Sequence, residues 1–360
     1  MEKKKILVVD DSALMRSVLC DIINSDNRFQ VVDRATNGLE ALDLLSRKKY
    51  DAVVLDVNMP RMNGLELLKE LQKYKISAKV MMASTDTREG AKTTLDALEL
   101  GALDFVHKPD RAFDCRQEDF KNKMLETLAA VSEAKPPVFT TWEKIREETA
   151  TTKKMVELVQ KKTAAIEGNK LVAIACSTGG PKALHSVIPM LPANLKAPVL
   201  IVQHMPKGFT ASLSERLNSL GDIAVKEAAE GDVLEPGHVY VAMGGQHMNV
   251  RTSAGGKYTI YYSDEPPREG VKPCANYMYE SLGNSRFDEI VCVVMTGMGA
   301  DGTKGIENLK TKKKVHVIAQ EQNSCAVYGM PKSVVTAGLA NQVVPLEQIA
   351  QEIILNVGVM

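Results

Sequence analysis

The sequence lacks an excess of charge of either sign and lacks long apolar runs. Its 360 residues include 45 Lys and Arg against 45 Asp and Glu, so no global basic field favours nucleic acid or an anionic membrane. No uninterrupted apolar stretch reaches the roughly 20 residues that a bilayer crossing needs, and residues 1–10 do not resemble a signal peptide. We therefore expect no nucleic-acid partner and no membrane insertion.

Cysteines are few and scattered. The six cysteines include no C-x-x-C pair, and Cys176 and Cys292 lie inside apolar runs, where cysteine behaves as a small buried hydrophobe. This spacing argues against disulfides and against a zinc cluster, and it favours a reduced, cytoplasmic protein. With 44% apolar and 25% charged residues, the composition is that of an ordinary globular protein, and the length suggests two domains.

Apolar runs that alternate with helical periodicity indicate an α/β fold in both halves of the chain. The first half contains the runs ILVVD, VVDRA, AVVLDV, KVMMAS and DFVHK. The second half contains LVAIAC, PVLIVQ, HVYVA, EIVCVVMT and VHVIAQ, and the segment MNVRTSAGGKYTIYY predicts a hairpin that turns at Gly255 and Gly256. Each half therefore predicts a doubly wound parallel sheet with helices between the strands.

A charged segment with a Pro-Pro pair separates the two halves. From about residue 126 no strand-like run occurs until Leu171, so we interpret this segment as a linker with a partly helical middle. Trp142, the only tryptophan, is interpreted as a side chain that pins the linker to a domain. The predicted organisation is a first domain over 1–125, a linker over 126–168 and a second domain over 169–360.

Acidic residues follow two strands of the first predicted sheet. Asp10 and Asp11 end the first strand, and Asp56 ends the third. The carboxyl ends of adjacent parallel strands form the binding crevice of such sheets, and three carboxylates there repel one another unless a cation lies among them. Mg²⁺, a hard ion with oxygen ligands, fits that position. The alternative is that Asp10 and Asp11 simply cap the helix that begins near Ser12.

Two further polar residues at strand ends point to phosphoryl chemistry. Ser84 ends the fourth strand, and Lys108 follows the fifth. In a phosphoryl-acceptor site, Asp56 would attack phosphorus and Mg²⁺ would neutralise the phosphoryl oxygens. Ser84 would donate a hydrogen bond, and Lys108 would supply a positive charge.

The segments VVDDSALMR, LDVNMPRMNGLELL and DFVHKP resemble the receiver domain of response regulators, a flavodoxin-like fold, over residues 4–125. The resemblance implies that a histidine kinase phosphorylates Asp56. It also implies that Phe105 reorients when Ser84 engages the phosphoryl group. The position two residues after the acceptor, often acidic in that family, is Asn58 here, and we expect it to affect the lifetime of the phosphoryl group more than its acceptance.

The second half places three reactive residue types after strands. Ser177 directly follows LVAIAC, His204 directly follows PVLIVQ, and Asp301 lies in the glycine-rich loop after EIVCVVMT. A nucleophilic serine needs a base, and the base needs an orienting carboxylate, so these three residues are candidates for a triad. His247, in the segment GGQHM, is another possible base.

Spacing alone leaves other interpretations of these residues open. The glycine-rich segment TGMGADGTKG could cradle a phosphate group, although it lacks the P-loop pattern and matches G-x-G-x-x-G imperfectly. Ser177 and Asp301 could each be no more than a helix cap, which is a common use of serine and aspartate at a strand-to-helix turn.

The segments IACSTGGPKAL, VQHMPKGFTASLSERLN, VMTGMGADGTKG and QNSCAVYGMP resemble the chemotaxis protein-glutamate methylesterase family (CheB) over residues 171–340. The resemblance implies a catalytic triad of Ser177, His204 and Asp301, with no cofactor for the ester chemistry. It also implies that the backbone of Met298 binds the oxyanion. We expect the amide or hydroxyl of Thr178 to contribute as well.

One segment departs from that family. Downstream of EPPREGVKP the family commonly carries Ser-Val-Asp, whereas this sequence reads Cys274-Ala275-Asn276. We expect the departure to touch no triad member, so that any effect falls on substrate contacts.

Together the two resemblances imply a phosphorylation-activated methylesterase that hydrolyses glutamyl methyl esters on methyl-accepting chemoreceptors. Deamidation of receptor glutamines is also expected, since it passes through the same acyl-enzyme. The alternative is an adaptor without enzymatic activity, whose second domain only binds receptors or kinase. A DNA-binding regulator is disfavoured because the second domain has no basic helix-turn-helix pattern.

Overall fold

The chain divides into two compact units, Met1–Phe139 and Thr140–Met360. The computed structural model describes residues 2–85, 88–109, 111, 114–136, 168–253 and 255–360. Trp142 and most of the segment predicted as a linker lie outside the described residues, so the domain boundaries drawn from the sequence remain a prediction.

The first unit contains a five-stranded parallel sheet in the order β2-β1-β3-β4-β5. Its strands are β1 (Lys4–Val9), β2 (Phe29–Ala35), β3 (Ala52–Asp56), β4 (Val80–Thr85) and β5 (Asp104–Lys108). The predicted doubly wound sheet is confirmed. The strand order reverses between β1 and β3, and this switch point is where α/β sheets bind ligands.

Helices connect these strands and pack on the sheet. They are α1 (Ala13–Ser25), α2 (Gly38–Arg47), α3 (Gly64–Lys73), α4 (Arg88–Glu99) and α5 (Glu118–Glu133). α3 shows why the sequence folds this way, since a capping box of Asn63 and Glu66 starts the helix and Leu67 and Leu71 are buried along it. α5 continues past residue 125, where the sequence pattern placed the end of the first domain.

The second unit contains a seven-stranded sheet in the order β14-β13-β12-β6-β7-β9-β8, and all its pairings are parallel. Its strands are β6 (Lys170–Cys176), β7 (Val199–Gln203), β8 (Ala224–Glu227), β9 (His238–Val241), β12 (Glu289–Val294), β13 (Lys314–Gln320) and β14 (Gln342–Val344). The central strands β6, β7 and β12 are buried on both faces, as parallel sheets covered by helices are.

A separate antiparallel hairpin joins β10 (His247–Thr252) to β11 (Tyr258–Ser263) and confirms the predicted hairpin. Gly256, with φ of +75°, lies in its turn and donates a backbone hydrogen bond to Ser253. A positive φ costs glycine little, which explains its use at this position.

In the part of the second unit that the structure describes, the α-helices are α6 (Gly180–Val187), α7 (Phe209–Asn218), α8 (Ala275–Ser281), α9 (Thr303–Lys310), α10 (Met330–Thr336) and α11 (Leu346–Val357). α6 follows the carboxyl end of β6, and α9 follows the carboxyl end of β12. The loops before these two helices therefore meet at one edge of the sheet. Among the described residues, none of the helices combines the length and the apolarity that a bilayer crossing requires.

Candidate functional site

In the first unit, three carboxylates meet at the carboxyl ends of β1 and β3. Ligand atoms of Asp10, Asp11 and Asp56 all lie within 4.8 Å of one another. Lys108 Nζ donates to Asp10 Oδ2 at 2.9 Å and to Asp56 Oδ1 at 2.6 Å. The four residues that the sequence placed at separate strand ends thus converge.

Burial and charge oppose each other in this acidic cluster. Burial raises the pKa of Asp56, and the neighbouring Lys108 ammonium offsets part of that rise. Burial alone would lower the pKa of Lys108, but the Asp56 and Asp10 carboxylates raise it overall, so Lys108 stays charged. Three carboxylates and one ammonium leave a net charge of −2 when all are ionised, and this charge favours a further cation.

Several oxygens of the cluster are available to a metal ion. Asp56 Oδ2 and the carboxylate of Asp11 form no hydrogen bond with the described residues. The hydroxyl of Ser12 caps α1 by accepting from Met15 N, so capping does not require either aspartate. Unpartnered carboxylate oxygens are the donor set that Mg²⁺ prefers, and these residues therefore fit that ion.

The predicted switch residues lie on β4 and β5. Ser84 is buried near the end of β4, one residue beyond the register partner of Asp56, and its hydroxyl donates to Gly90 O at 3.5 Å. Phe105 is buried on β5 beside Met82. Ser84 therefore lies on the strand next to the acceptor strand β3, and Phe105 lies one strand further out. Their movement on phosphorylation remains a prediction.

In the second unit, Ser177, His204 and Asp301 all follow strands of the parallel sheet. Ser177 N donates to Thr296 O at 3.0 Å, and His204 N donates to Cys176 O at 3.2 Å, so the main chain holds these segments side by side. His204 Nε2 lies 2.7 Å from Asp301 Oδ2, and the two side chains are 5% and 3% exposed. Because Nε2 donates to the carboxylate, Nδ1 carries the lone pair of a neutral His204.

The helix-cap interpretation of Ser177 and Asp301 is wrong. The N-cap of α6 is Gly179, and that of α9 is Gly302; both have positive φ and neither helix has a side-chain cap. The Ser177 hydroxyl forms no hydrogen bond with the described residues, which leaves it available for chemistry. Catalytic hydrogen bonds often form only when substrate is bound, so this geometry is compatible with a nucleophile.

Asp301 accepts four hydrogen bonds. Oδ1 accepts from Cys274 Sγ at 3.0 Å and from Asn276 N at 2.9 Å, and Oδ2 accepts from Ala275 N at 2.6 Å as well as from His204. Although burial alone would raise the pKa of Asp301, His204, the Cys274 thiol and the Ala275 N–H together hold it below the usual range. Asp301 is therefore ionised and orients the imidazole.

The expectation that Cys274-Ala275-Asn276 touches no triad member is wrong, because all three residues donate to Asp301. The physical reason is that α8 begins at Ala275, and the first backbone N–H groups of a helix have no partner inside the helix. Those N–H groups point at the Asp301 carboxylate instead of at substrate.

The glycine-rich loop packs tightly against the serine. A Cβ added at Gly297 would lie 2.8 Å from Ser177 Cβ, so only glycine permits this approach. Gly302 N and Gly305 N both donate to Asn276 Oδ1, at 3.1 and 2.6 Å. These amides are therefore engaged by a side chain, which argues against a phosphate cradle at this loop.

The two predicted oxyanion residues lie beside the serine and the loop. Met298 directly follows Gly297 and is 42% exposed. Thr178 is buried, and its carbonyl accepts from Thr296 Oγ1 at 2.9 Å.

Sequence reasoning missed Gln203. This buried side chain, the last of β7, donates from Nε2 to Ser177 O at 3.0 Å and to His204 O at 3.3 Å. It thereby ties the serine segment to the histidine segment. A polar residue at the end of an otherwise apolar strand run is the only signal that could have identified it.

His247 is not placed as a base. It begins β10 and is fully buried, with Nδ1 accepting from Cys274 N at 3.2 Å and Nε2 3.3 Å from Pro266 O. Burial lowers the pKa of His247. Its ring supports the segment that holds Asp301 and has no nitrogen left for Ser177.

The fold and the two sites define a response regulator with an enzyme-like output domain. Residues 6–116 match the response regulator receiver domain, and residues 172–353 match the CheB methylesterase domain. The chain belongs to the CheB methylesterase family.

Relatives along the whole chain support this assignment. A protein-glutamate methylesterase/protein-glutamine glutaminase 1 of Syntrophomonas wolfei is 41% identical over 359 residues, which are 98% of this chain and 99% of that one. A protein-glutamate methylesterase/protein-glutamine glutaminase of Bacillus subtilis is 41% identical over 97% of each chain. The crystal structure of the CheB methylesterase catalytic domain of Thermotoga maritima covers 52% of this chain and 98% of its own, with 38% identity and a TM-score of 0.50.

Proposed function

We propose that this chain is a phosphorylation-activated protein-glutamate methylesterase that acts on methyl-accepting chemoreceptors. The observation that carries the proposal is the buried 2.7 Å pair of His204 and Asp301 beside the segment that presents Ser177. The names of the relatives give the substrate class, a glutamyl methyl ester.

The reaction follows from these three side chains. Ser177 Oγ attacks the ester carbonyl while His204 Nδ1 takes the hydroxyl proton, and the C–O bond to methanol then breaks as the imidazolium returns that proton to the leaving oxygen. Water, activated by the same nitrogen, hydrolyses the acyl-enzyme to the free glutamate. Asp301 stays ionised throughout and stabilises the imidazolium.

The oxyanion formed at the carbonyl needs hydrogen-bond donors. The family resemblance assigns this role to the backbone N–H of Met298, which follows the glycine packed against Ser177. The amide or hydroxyl of Thr178, the residue after Ser177, is the second donor in this proposal. A glutamine side chain can enter the same reaction, with ammonia leaving in place of methanol, so deamidation accompanies ester hydrolysis.

Regulation acts at Asp56, which a chemotaxis histidine kinase phosphorylates. Asp10, Asp11 and Asp56 would hold Mg²⁺, which when bound neutralises charge on the phosphoryl oxygens. Lys108 Nζ, already 2.6 Å from Asp56, pairs with the phosphoryl group after transfer. Ser84 then donates a hydrogen bond to the phosphoryl group, and Phe105, which is already buried, reorients within the core. The cytoplasmic location expected from the sequence remains a prediction.

Covalent labelling separates an enzyme from an adaptor that only binds receptors. We expect a serine-directed acylating reagent to modify Ser177 in the full chain, and expect the Ser177→Ala variant to remain unlabelled. The matched control is Ser186→Ala, which removes an exposed serine of the helix that follows. Equal labelling of wild type and Ser177→Ala would contradict the nucleophile assignment.

A further inference from the structure

The Cys274 thiol makes a direct contact with the carboxylate of the site. Its Sγ lies 3.0 Å from Asp301 Oδ1, and Cys274 is completely buried. Three groups of this segment donate to Asp301. The thiol is a side-chain donor, whereas Ala275 and Asn276 donate through their backbone N–H groups.

The contact requires the thiol to be the donor. An ionised carboxylate offers only acceptor oxygens, whereas a protonated thiol carries one hydrogen to donate. Burial raises the pKa of Cys274, and the Asp301 charge raises it further, so the thiol keeps its proton.

The backbone around Cys274 is held from two sides. Cys274 N donates to the buried His247 ring at 3.2 Å. Asn276 accepts from Gly302 N and Gly305 N at the start of α9, and its Nδ2 donates to Glu269 Oε1 at 3.1 Å. The thiol is therefore presented to Asp301 from a fixed position and not from a mobile loop.

We propose that Cys274 is a positioning residue for ester hydrolysis: its S–H holds Oδ1 of Asp301 so that Oδ2 faces His204. This inference rests on the role of Asp301 given under Proposed function. The side chain lies behind the carboxylate and acts on the reaction only through Asp301 and His204.

Loss of the thiol should affect turnover and not substrate binding. Without it, Oδ1 keeps a single donor, Asn276 N, so the carboxylate is held less firmly in the orientation that faces the imidazole. We expect Cys274→Ala to lower kcat roughly tenfold with KM unchanged, the effect of losing one hydrogen bond to a charged group. Cys274→Ser restores a donor at this position and should keep kcat within about threefold of wild type.

The matched control is Cys292→Ala. Cys292 is a fully buried free cysteine in β12, and its thiol forms no hydrogen bond with Ser177, His204 or Asp301. Methanol release from methylated receptor by the full chain measures kcat, and thermal unfolding measures stability. We expect Cys292→Ala to lose about as much stability as Cys274→Ala while its kcat stays near that of wild type. A fall in kcat equal to that of Cys274→Ala would assign the effect to lost packing and overturn the inference.

A double-mutant cycle with Asp301→Asn separates this inference from the proposed function. If Cys274 acts through Asp301, adding Cys274→Ala to Asp301→Asn should lower kcat no further. A further tenfold fall in that background, or equal kcat for Cys274→Ala and wild type, would overturn the positioning role alone. Full activity of Asp301→Asn would overturn the proposed role of Asp301 and this inference with it. If Cys274→Ala fails to fold, a tenfold fall in Cys274→Ser would likewise overturn it.

Discussion

The acidic cluster of the first unit and the Ser-His-Asp cluster of the second lie at the same ends of parallel sheets but balance charge differently. In the first, three carboxylates share one ammonium, and oxygens of Asp11 and Asp56 have no partner among the described residues. In the second, Asp301 accepts four hydrogen bonds from the chain itself. One site is arranged to receive a further charged group, whereas the other is preorganised to support a reaction.

The largest effect is expected from removal of the nucleophile. Ser177→Ala should lower methanol release by about 10⁴-fold or more, because the acyl-enzyme cannot form. Phosphorylation of Asp56 by a small-molecule phosphodonor should be unchanged, since the acidic cluster is untouched. Near-wild-type methanol release by this variant would eliminate Ser177 as the nucleophile.

A similar but smaller effect is expected when the preorganised carboxylate is neutralised. Asp301→Asn should lower kcat by roughly 10³- to 10⁴-fold, because an amide can donate to Nε2 and so favour the wrong tautomer of His204. The residual rate comes from oxyanion binding and from substrate binding. Steady-state methanol release measures kcat of the variant and of wild type. A fall in kcat of less than tenfold would contradict the orienting role of Asp301.

Neutralising Asp56, the phosphoryl acceptor of the first unit, should leave ester hydrolysis intact and remove its stimulation by phosphorylation. Asp56→Asn is expected to keep the unstimulated rate of methanol release and to lose the stimulation by phosphodonor, which we place at about 5- to 150-fold. Stimulation that persists in this variant would show that another residue accepts the phosphoryl group.

The smallest effect is expected from Asp11, which is exposed and whose carboxylate forms no hydrogen bond or ion pair with the residues that the structure describes. Without metal, Asp11→Asn should be more stable than wild type by about 1 kcal/mol, because one of three repelling charges is gone. The affinity of the variant for Mg²⁺ should fall about tenfold or more, since even the loss of a residue that only contacts a metal ligand lowers metal affinity by that factor. Thermal unfolding without Mg²⁺ measures the change in stability, and its dependence on Mg²⁺ concentration measures the change in affinity. If Mg²⁺ stabilised the variant as much as wild type, Asp11 would be excluded as a ligand.

The buried parts of both sheets could be predicted from the sequence because each central strand is an unbroken apolar run. Two edge strands were missed, β8 and β14. Their sequences, AVKE and QVV, are short and partly exposed, so they carry neither a long apolar run nor a clear alternation. Their pairing depends on the neighbouring strand and not on local pattern.

The functional sites also contain residues that local sequence predicts and residues whose role depends on tertiary packing. Ser177, His204 and Asp301 could be named as candidates because parallel topology brings strand ends to one edge, and the resemblance to the CheB family then selected them from the alternatives. The Cys274 segment could not, because it donates to Asp301 mostly through backbone N–H groups, which every residue except proline has. Packing of α8 against the loop before α9 creates that contact, and local sequence does not encode it.

The most direct test of the account is methanol release from methylated chemoreceptor by the full chain, measured with and without a small-molecule phosphodonor and Mg²⁺. We expect a measurable rate that rises about 5- to 150-fold with phosphodonor and disappears in Ser177→Ala. Receptor binding with no methanol released in either condition would contradict it and would identify the second unit as a binding module.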